Sequence, residues 1–374
     1  MALPIPPSLQ KSLDGTKVEY VQLGRSGLRV SSPILGGMSF GSKQWQPWNI
    51  EEEEALLILK AAYDRGVNTW DTADMYSNGL SEEIIGKAIK KFEIPREKLV
   101  LMTKCYIYVA EEVGIFGAAL GEPMARSKDH VNRGGTSFST IPTHCITDDS
   151  VGLSRSAIFK AVDASLKRLG TTYIDLYQIH RNDPTTPPEE TMKALNDLIE
   201  AGKVRYIGAS SMWATEFANM QFIAEKNGWT KFISMQNMYN LLYREEEREM
   251  IRFCNSTGVG LIPYSPLAGG KLARPVGYDE STRSQMKAGP GAASLTEADV
   301  EIIKRVEELA KKKGWKMSQV GLAWLRSKGA VPINGFNSIE RLEEACDVRG
   351  KTLDEEEVKF LEKFYVPKTV VGHF

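Results

Sequence analysis

The sequence predicts an α/β fold closed as a (β/α)8 barrel, and three observations carry that expectation. Short apolar or β-branched runs alternate with amphipathic helical stretches along the whole chain. The runs are apolar throughout, as expected of parallel strands covered on both faces. Eight strand–helix units can be counted, and that number closes a sheet on itself.

The elements follow in order. VEYVQLGRSGLRVSSPILGG reads as a β-hairpin with its turn at Gly24 to Gly27, followed by a first barrel strand at residues 33–37. EEEEALLILKAAYDRG is a helix with Ala55, Leu56, Leu59, Ala62 and Tyr63 on one stripe, acidic residues in its first turn and Gly66 at its end. Strand 67–71, helix 81–92 and strand 99–104 come next, then helix 154–169 and strand 173–179. Helix 188–201 precedes strand 204–209, helix 214–227 precedes strand 232–236, and helix 244–257 precedes strand 260–264. Helices 296–313 and 318–327, strand 330–333 and a helix from Ser338 complete the pattern.

An open, doubly wound dinucleotide-binding sheet is the competing architecture. Its GxGxxG fingerprint follows none of the strands; the nearest approach, GPGAAS at residues 289–294, lacks the strand that should precede it. Residues 1–17 read as an irregular Pro-rich extension and 18–374 as one barrel domain. Two segments exceed ordinary loop length, 105–152 after the third strand and 267–295 after the seventh. Both belong to the C-terminal face, where long loops usually serve as lids or binding loops.

The 374 residues are 42% hydrophobic and 25% charged, with a formal net charge of −1 and a pI near 6.5. That balance does not steer the chain toward nucleic acid or an anionic membrane. No apolar run reaches the roughly 18 residues of a membrane span. Cys105, Cys145, Cys254 and Cys346 are widely spaced, which suggests reduced thiols and a cytoplasmic location. The four histidines form no HExxH or Cys/His cluster, so no metal is expected.

Asp71, Lys104 and His180 fall at or just past the C-terminal ends of the second, third and fourth strands, and Tyr76 lies five residues beyond Asp71. Strand ends on that face converge on the active site of a barrel. A phenol with its ordinary pKa of about 10 is a weak acid, and a nearby ammonium lowers that value. Asp71 would hold Lys104 charged and in place, Tyr76 would act as general acid, and His180 would polarise a carbonyl. Alone, each residue has a plainer explanation, such as an ion pair or a hydrogen-bonded rim histidine. Their joint occurrence after three successive strands favours chemistry.

DTADMYSNGLSEEIIGKAI, LVLMTK, LYQIHRND, GKVRYIGASSM, MQNMYN and PYSPLAGG together resemble the signature segments of the aldo-keto reductases, over nearly the whole chain from Val18 to Val366. SKQWQPWNIEEEE, YNLLYREEEREM and YVPKTVVGHF are most similar to fungal members of the versiconal hemiacetal acetate reductase-like and aryl-alcohol dehydrogenase-like kinds. The resemblance implies that Asp71, Tyr76, Lys104 and His180 are a catalytic tetrad and that the cofactor is NADPH rather than NADH. It implies that Ser210, Ser211 and Gln236 meet the nicotinamide carboxamide, with Tyr264 stacked on the ring. It also assigns Ser265, Leu267, Gly269 and Gly270 to a loop around the pyrophosphate, with Gly37, Met38, Lys271 and Gly335 nearby. At the adenine end Arg341 and Glu344 match, whereas Asn337 stands near a position commonly basic and Ala345 where asparagine is common. Lys271 or Arg274 is placed to compensate for the missing cation.

Met38, Phe40, Trp45, Trp48, Tyr106, Tyr108, Met212, Trp213 and Tyr239 are the candidate pocket residues, and an aromatic-lined cleft suits a bulky apolar carbonyl compound. For Trp45 and Trp48 the alternative is that they merely cap the barrel mouth. Other readings remain open at this stage: a non-catalytic nicotinamide-binding module, a barrel aldolase using Lys104, or a specialised biosynthetic enzyme with another net reaction. The sequence leaves the oligomeric state undetermined.

Overall fold

The computed structural model describes residues 5–116, 152–278 and 295–373. The bulk of the 105–152 segment and much of the 267–295 segment, including GPGAAS, lie outside the described residues.

A two-stranded antiparallel hairpin, β1 (Glu19–Gln22) and β2 (Arg29–Ser32), precedes the barrel. The barrel strands are β3 (Ile34–Gly36), β4 (Thr69–Asp71), β5 (Val100–Cys105), β6 (Ile174–Ile179), β7 (Val204–Ser210), β8 (Ser234–Gln236), β9 (Gly260–Leu261) and β10 (Ile333–Gly335). They pair in parallel in the order β10-β3-β4-β5-β6-β7-β8-β9. The ring closes where Val331 N–H donates to Leu261 O at 2.8 Å and Ile333 N–H to Pro263 O at 3.0 Å.

Helices α2 (Glu52–Asp64), α3 (Leu80–Lys91), α4 (Arg155–Leu169), α5 (Pro188–Glu200), α6 (Ala214–Asn227), α7 (Met250–Thr257), α8 (Glu297–Lys313), α9 (Met317–Ser327) and α10 (Ile339–Cys346) cover the sheet. Their ends are set by local chemistry. The Ser154 hydroxyl accepts the Ala157 N–H and starts α4, while Gly170 ends it at φ 63°. Thr296 and Asp299 form a reciprocal capping box at the start of α8, and Gly314 ends it at φ 66°.

Two apolar layers hold the barrel. The larger lies between strands and helices and includes Trp70, Tyr177, Phe217 and Trp324. The smaller fills the lower interior, where Leu23, Leu28 and Val30 of the hairpin region meet Ile34, Met102, Leu176, Ile262 and Ile333. The hairpin presses close at Gly24, where a Cβ would stand 2.3 Å from Gly258 O and 2.5 Å from Gly260 N. Only glycine fits that contact at φ 58°.

Several elements depart from the sequence expectation. Part of the extension read as irregular is a helix, α1 (Pro7–Gly15), which buries no residue. Proline in its first turn favours a helix start that apolar periodicity does not reveal. The helix expected over 244–257 is split into a 3-10 turn at Glu245–Glu247 and α7. Tertiary contacts override local propensity there: the Glu245 carboxylate accepts from the Tyr365 hydroxyl at 2.6 Å and the Lys368 N–H at 2.8 Å. The eighth strand pairs at Ile333–Gly335, and Ala330 keeps a single bridge to Leu261. A further helix, α11 (Glu355–Glu362), follows α10.

Candidate active site

Four strands deliver one hydrogen-bonded cluster to the C-terminal face. Asp71 ends β4, Lys104 lies near the end of β5, Gln178 sits in β6 and Gln236 ends β8. The Lys104 ammonium donates to Asp71 Oδ2 at 2.6 Å, to Thr72 O at 2.8 Å and to the Tyr76 hydroxyl at 3.3 Å. On the other side, Asp71 Oδ1 accepts from Gln178 Nε2 at 3.0 Å and from Gln236 Nε2 at 3.1 Å. Lys104 and Asp71 are buried, so removing one partner would leave an uncompensated charge.

Tyr76 stands on a 3-10 turn after β4 and is fixed from behind. Ser77 and Asn78 adopt left-handed backbone at φ 47° and 52°. The Ser77 hydroxyl accepts from Asn49 Nδ2 at 2.9 Å, and Asn78 Nδ2 donates to Ile115 O at 2.7 Å. The ring meets His180 edge-on, with centroids 5.9 Å apart at 81°. His180 lies just past β6; its N–H donates to Cys105 O at 2.9 Å, and Nδ1 is buried with no hydrogen-bond partner.

The electrostatics sort these groups. Burial lifts the Tyr76 phenol above its ordinary value, while Lys104 and, more weakly, Arg181 pull it down. The expectation of a net lowering by Lys104 is thereby corrected: burial outweighs the ammonium, and Tyr76 holds its proton at neutral pH. Lys104 stays charged because Asp71 and Tyr76 together outweigh the burial that opposes its charge. Burial, with Arg181 and Lys104 adding to it, drives His180 well below the usual histidine range, so the imidazole is neutral.

The other candidate binding residues follow along the ends of the later strands. Ser210, at the end of β7, donates its hydroxyl hydrogen to Gln236 O at 2.7 Å and keeps only acceptor capacity. Gln236 gives its Nε2 to Asp71 and Gln178, leaving its oxygen as the group for a ligand. Ser211, at φ 30°, has its hydroxyl 3.5 Å from the Tyr264 hydroxyl. After Tyr264 the backbone turns through positive φ at Ser265 (52°), Ala268 (49°), Gly269 (68°) and Gly270 (99°), and the turn is closed by the Ala268 N–H on Ser265 O and the Gly270 N–H on Leu267 O. Leu267 anchors this turn against α9, where a Cβ on Gly321 would be 3.0 Å from its Cδ2.

Beyond the turn, Lys271 lies close enough to Asp299 and Lys368 to feel both charges, and burial lowers its pKa. Arg341, in the first turn of α10, faces Arg274; burial and that second guanidinium both disfavour its charge. Arg274 itself stacks 4.8 Å from the Tyr278 ring. Glu344 accepts from the Ser318 hydroxyl, and Gly335 and Asn337 are exposed beside α10.

The pocket candidates separate. Trp45 and Met38 pack with Ala73, Met75 and Tyr76, and Trp45 meets Phe116 at 5.3 Å. Tyr108 is buried against Ala110 and Ile115, and Tyr106 is held at φ 130° beside the main core. Trp48 is half-buried, and Trp213 is 44% exposed. Phe40 and Met212 do not line a cleft: at 0% and 1% exposure they belong to the core behind the strands. Tyr239 is likewise structural, its ring tilted against Trp324 at 5.0 Å and its hydroxyl donating to Glu247 at 2.6 Å.

Three features escaped the sequence reading. Gln178 precedes His180 by two on one strand, so period-two alternation would have turned both inward. Arg181 carries no pattern that marks it. The chain end from Tyr365 also returns to the mouth: Val371 N–H donates to the Tyr243 hydroxyl at 3.1 Å, and the His373 ring meets Trp213 at 4.9 Å. His373 Nε2 is 3.0 Å from Glu246 Oε1, too far off line to count as a hydrogen bond.

A closed barrel whose strand ends join a buried lysine–carboxylate pair to a tyrosine and a neutral histidine fits a nicotinamide-dependent oxidoreductase acting on carbonyls. The chain belongs to the aldo/keto reductase family, whose model matches residues 34–366. It is 55% identical to an aldo-keto reductase of Metarhizium robertsii over 99% of this chain and 97% of that protein. It is 51% identical to versiconal hemiacetal acetate reductase of Aspergillus parasiticus over 94% of this chain and 98% of the other. Identity to a putative aryl-alcohol dehydrogenase of Schizosaccharomyces pombe is 48%, covering 94% and 97%. Among the described residues no helix is long and apolar enough to cross a membrane, and no group of His, Cys, Asp and Glu could hold a metal ion.

Proposed function

We propose that this chain is an NADPH-dependent reductase of an aldehyde or ketone with an apolar or aromatic body, using Tyr76 as general acid. The observation that carries this reading is the Lys104 ammonium, held between Asp71 Oδ2 at 2.6 Å and the Tyr76 hydroxyl at 3.3 Å. Tyr76 is protonated at rest, so it can donate to a carbonyl oxygen as negative charge develops there. Lys104 then stabilises the phenolate left behind. Neutral His180 offers one N–H to the same oxygen and polarises it.

When bound, the reduced nicotinamide supplies the hydride. Ser210 would accept from its carboxamide, Gln236 would meet the same group, and Tyr264 would stack on the ring and expose one face. The turn at residues 265–270 would hold the pyrophosphate, with Lys271 adding charge. Arg274 and Arg341 would take the 2′-phosphate, the reason for preferring NADPH over NADH. Trp45, Tyr106 and Tyr108, with Trp48 and Trp213 nearer the mouth, would receive the substrate body; sugar hydroxyls would go unsatisfied against much of that wall. The names of the Aspergillus and Schizosaccharomyces relatives are in keeping with such a substrate. We also place the enzyme in the cytoplasm, in keeping with free, buried Cys105, Cys254 and Cys346.

The test is fluorescence titration with NADPH and NADH, followed by oxidation of bound cofactor with an aromatic aldehyde panel. Tyr76→Phe should bind NADPH as the parent does and lose about 10²–10⁴ in kcat. Binding without turnover in the parent would overturn the catalytic assignment, and failure to bind either nucleotide would overturn the cofactor assignment as well.

A further inference from the structure

Arg181 stands beside His180, and among the described residues no carboxylate forms an ion pair with it. Three other half-buried arginines are paired: Arg96 with Asp175 at 2.6 Å, Arg168 with Glu82 at 2.6 Å and Arg244 with Glu247 at 2.7 Å. Asp183, two residues on, is already committed. It accepts from the Leu153 N–H at 2.7 Å, the Thr186 hydroxyl at 2.7 Å, and the N–H and hydroxyl of Thr185 at 2.9 and 2.6 Å.

The rest of the guanidinium is arranged as an open donor. Nη1 donates to His180 O at 2.5 Å, and buried Nε has no partner. Nη2 points toward the returning chain, where a Cβ on Gly372 would lie 3.7 Å away. The cation influences Tyr76, His180 and Tyr106, which places it within electrostatic reach of the reacting groups. A planar fork of N–H donors matches a carboxylate.

We propose that Arg181 receives a carboxylate on the substrate, and that the enzyme reduces 2-oxo acids with apolar side chains to 2-hydroxy acids. This rests on the reductase reading above. Arg181 Nη1 sits on His180 O, and its Nη2 and the Tyr264 hydroxyl lie 3.7 and 3.3 Å from one point, the Cβ position of Gly372, so an acid group a few bonds from an oxo group at His180 and Tyr76 is within its reach. The apolar wall formed by Trp45 and Met38 then takes the side chain. In the reaction the C4–H bond of the reduced nicotinamide breaks and its two electrons form a C–H bond at the oxo carbon. The oxo oxygen takes the Tyr76 proton, replaced from solvent, and the carboxylate is unchanged.

The experiment compares phenylglyoxylate with its neutral methyl ester, and benzaldehyde as a third substrate, in the parent, Arg181→Met and Arg181→Lys. The parent should favour the acid over the ester by about 30- to 100-fold in kcat/KM, the range of one charge-assisted contact. Arg181→Met should bring that ratio to one or below, and Arg181→Lys should retain part of it. Benzoate should inhibit ester reduction competitively in the parent and not in Arg181→Met. NADPH titration shows that each variant folds and binds cofactor. Equal use of acid and ester by the parent, or equal losses on both in Arg181→Met, would overturn the proposal. Failure of all three substrates to oxidise NADPH would instead remove the reductase reading beneath it.

Discussion

The two ends of the proposed cofactor groove are built on opposite principles. At the inner end, Asp71, Lys104, Gln178 and Gln236 are buried and satisfy one another through contacts of 2.6–3.1 Å. At the outer end, burial and the neighbouring Arg274 guanidinium both make the charge on Arg341 less favourable. The inner end is finished before a ligand arrives, which suits proton transfer, where small displacements cost rate. The outer end holds repulsion that a bound anion relieves, which suits recognition.

That contrast can be broken most forcefully at Lys104. Lys104→Met removes the ammonium and leaves buried Asp71 without its counter-charge. The expected result is loss of about 10³-fold or more in kcat, with a stability loss of about 3–5 kcal/mol in denaturant unfolding. Parent-like stability would show that the inner end is not the coupled unit described.

The outer end should respond in binding alone. Arg274→Ala or Arg341→Ala is expected to weaken NADPH by about 10- to 100-fold, leave NADH nearly unchanged and flatten the salt dependence of NADPH binding. Equal weakening of both nucleotides would move the 2′-phosphate elsewhere.

A subtler contrast is in pH. The proposed mechanism needs protonated Tyr76 and neutral His180, one raised above its ordinary pKa and the other lowered. The rate of the chemical step should therefore be level between about pH 6.5 and 10, the ordinary values of the two groups. The reverse oxidation, which needs the phenolate, should still be rising at the upper end. For stability the sign is set by His180: its folded pKa is depressed, so its contribution is present above about pH 6.5 and lost as pH falls below it. His180→Gln should lessen the loss of stability on acidification, by up to about 1.4 kcal/mol per pH unit. An unchanged acid limb in that variant would show that His180 titrates normally.

How much of this was legible in the sequence follows from the range of the forces involved. Helix α6 is expected and found at Ala214–Asn227, because its stripe and Gly228 cap are local. Asp71, Lys104 and His180 were legible because strand ends in a barrel share a face. Phe40, Met212 and Tyr239 were misplaced for a complementary reason: an aromatic or a methionine near a strand end reads alike whether it faces a cleft or the core. Packing between distant segments decides that, as it decides the split before α7, where Glu245 answers to Tyr365, 120 residues away. Arg181 and the chain end lie in segments that carry the resemblance, LYQIHRND and YVPKTVVGHF, but no local pattern there foretells their place at the mouth.

The hairpin pressed against Gly258 and Gly260 turns the barrel into a cul-de-sac. With Leu23, Leu28 and Val30 plugging the lower interior, nothing passes through, and whatever enters must back out by the same opening. Outgoing alcohol and incoming carbonyl compound therefore contend for one doorway. Changes in the loops around it would alter the traffic of catalysis while the reacting groups stay as they are.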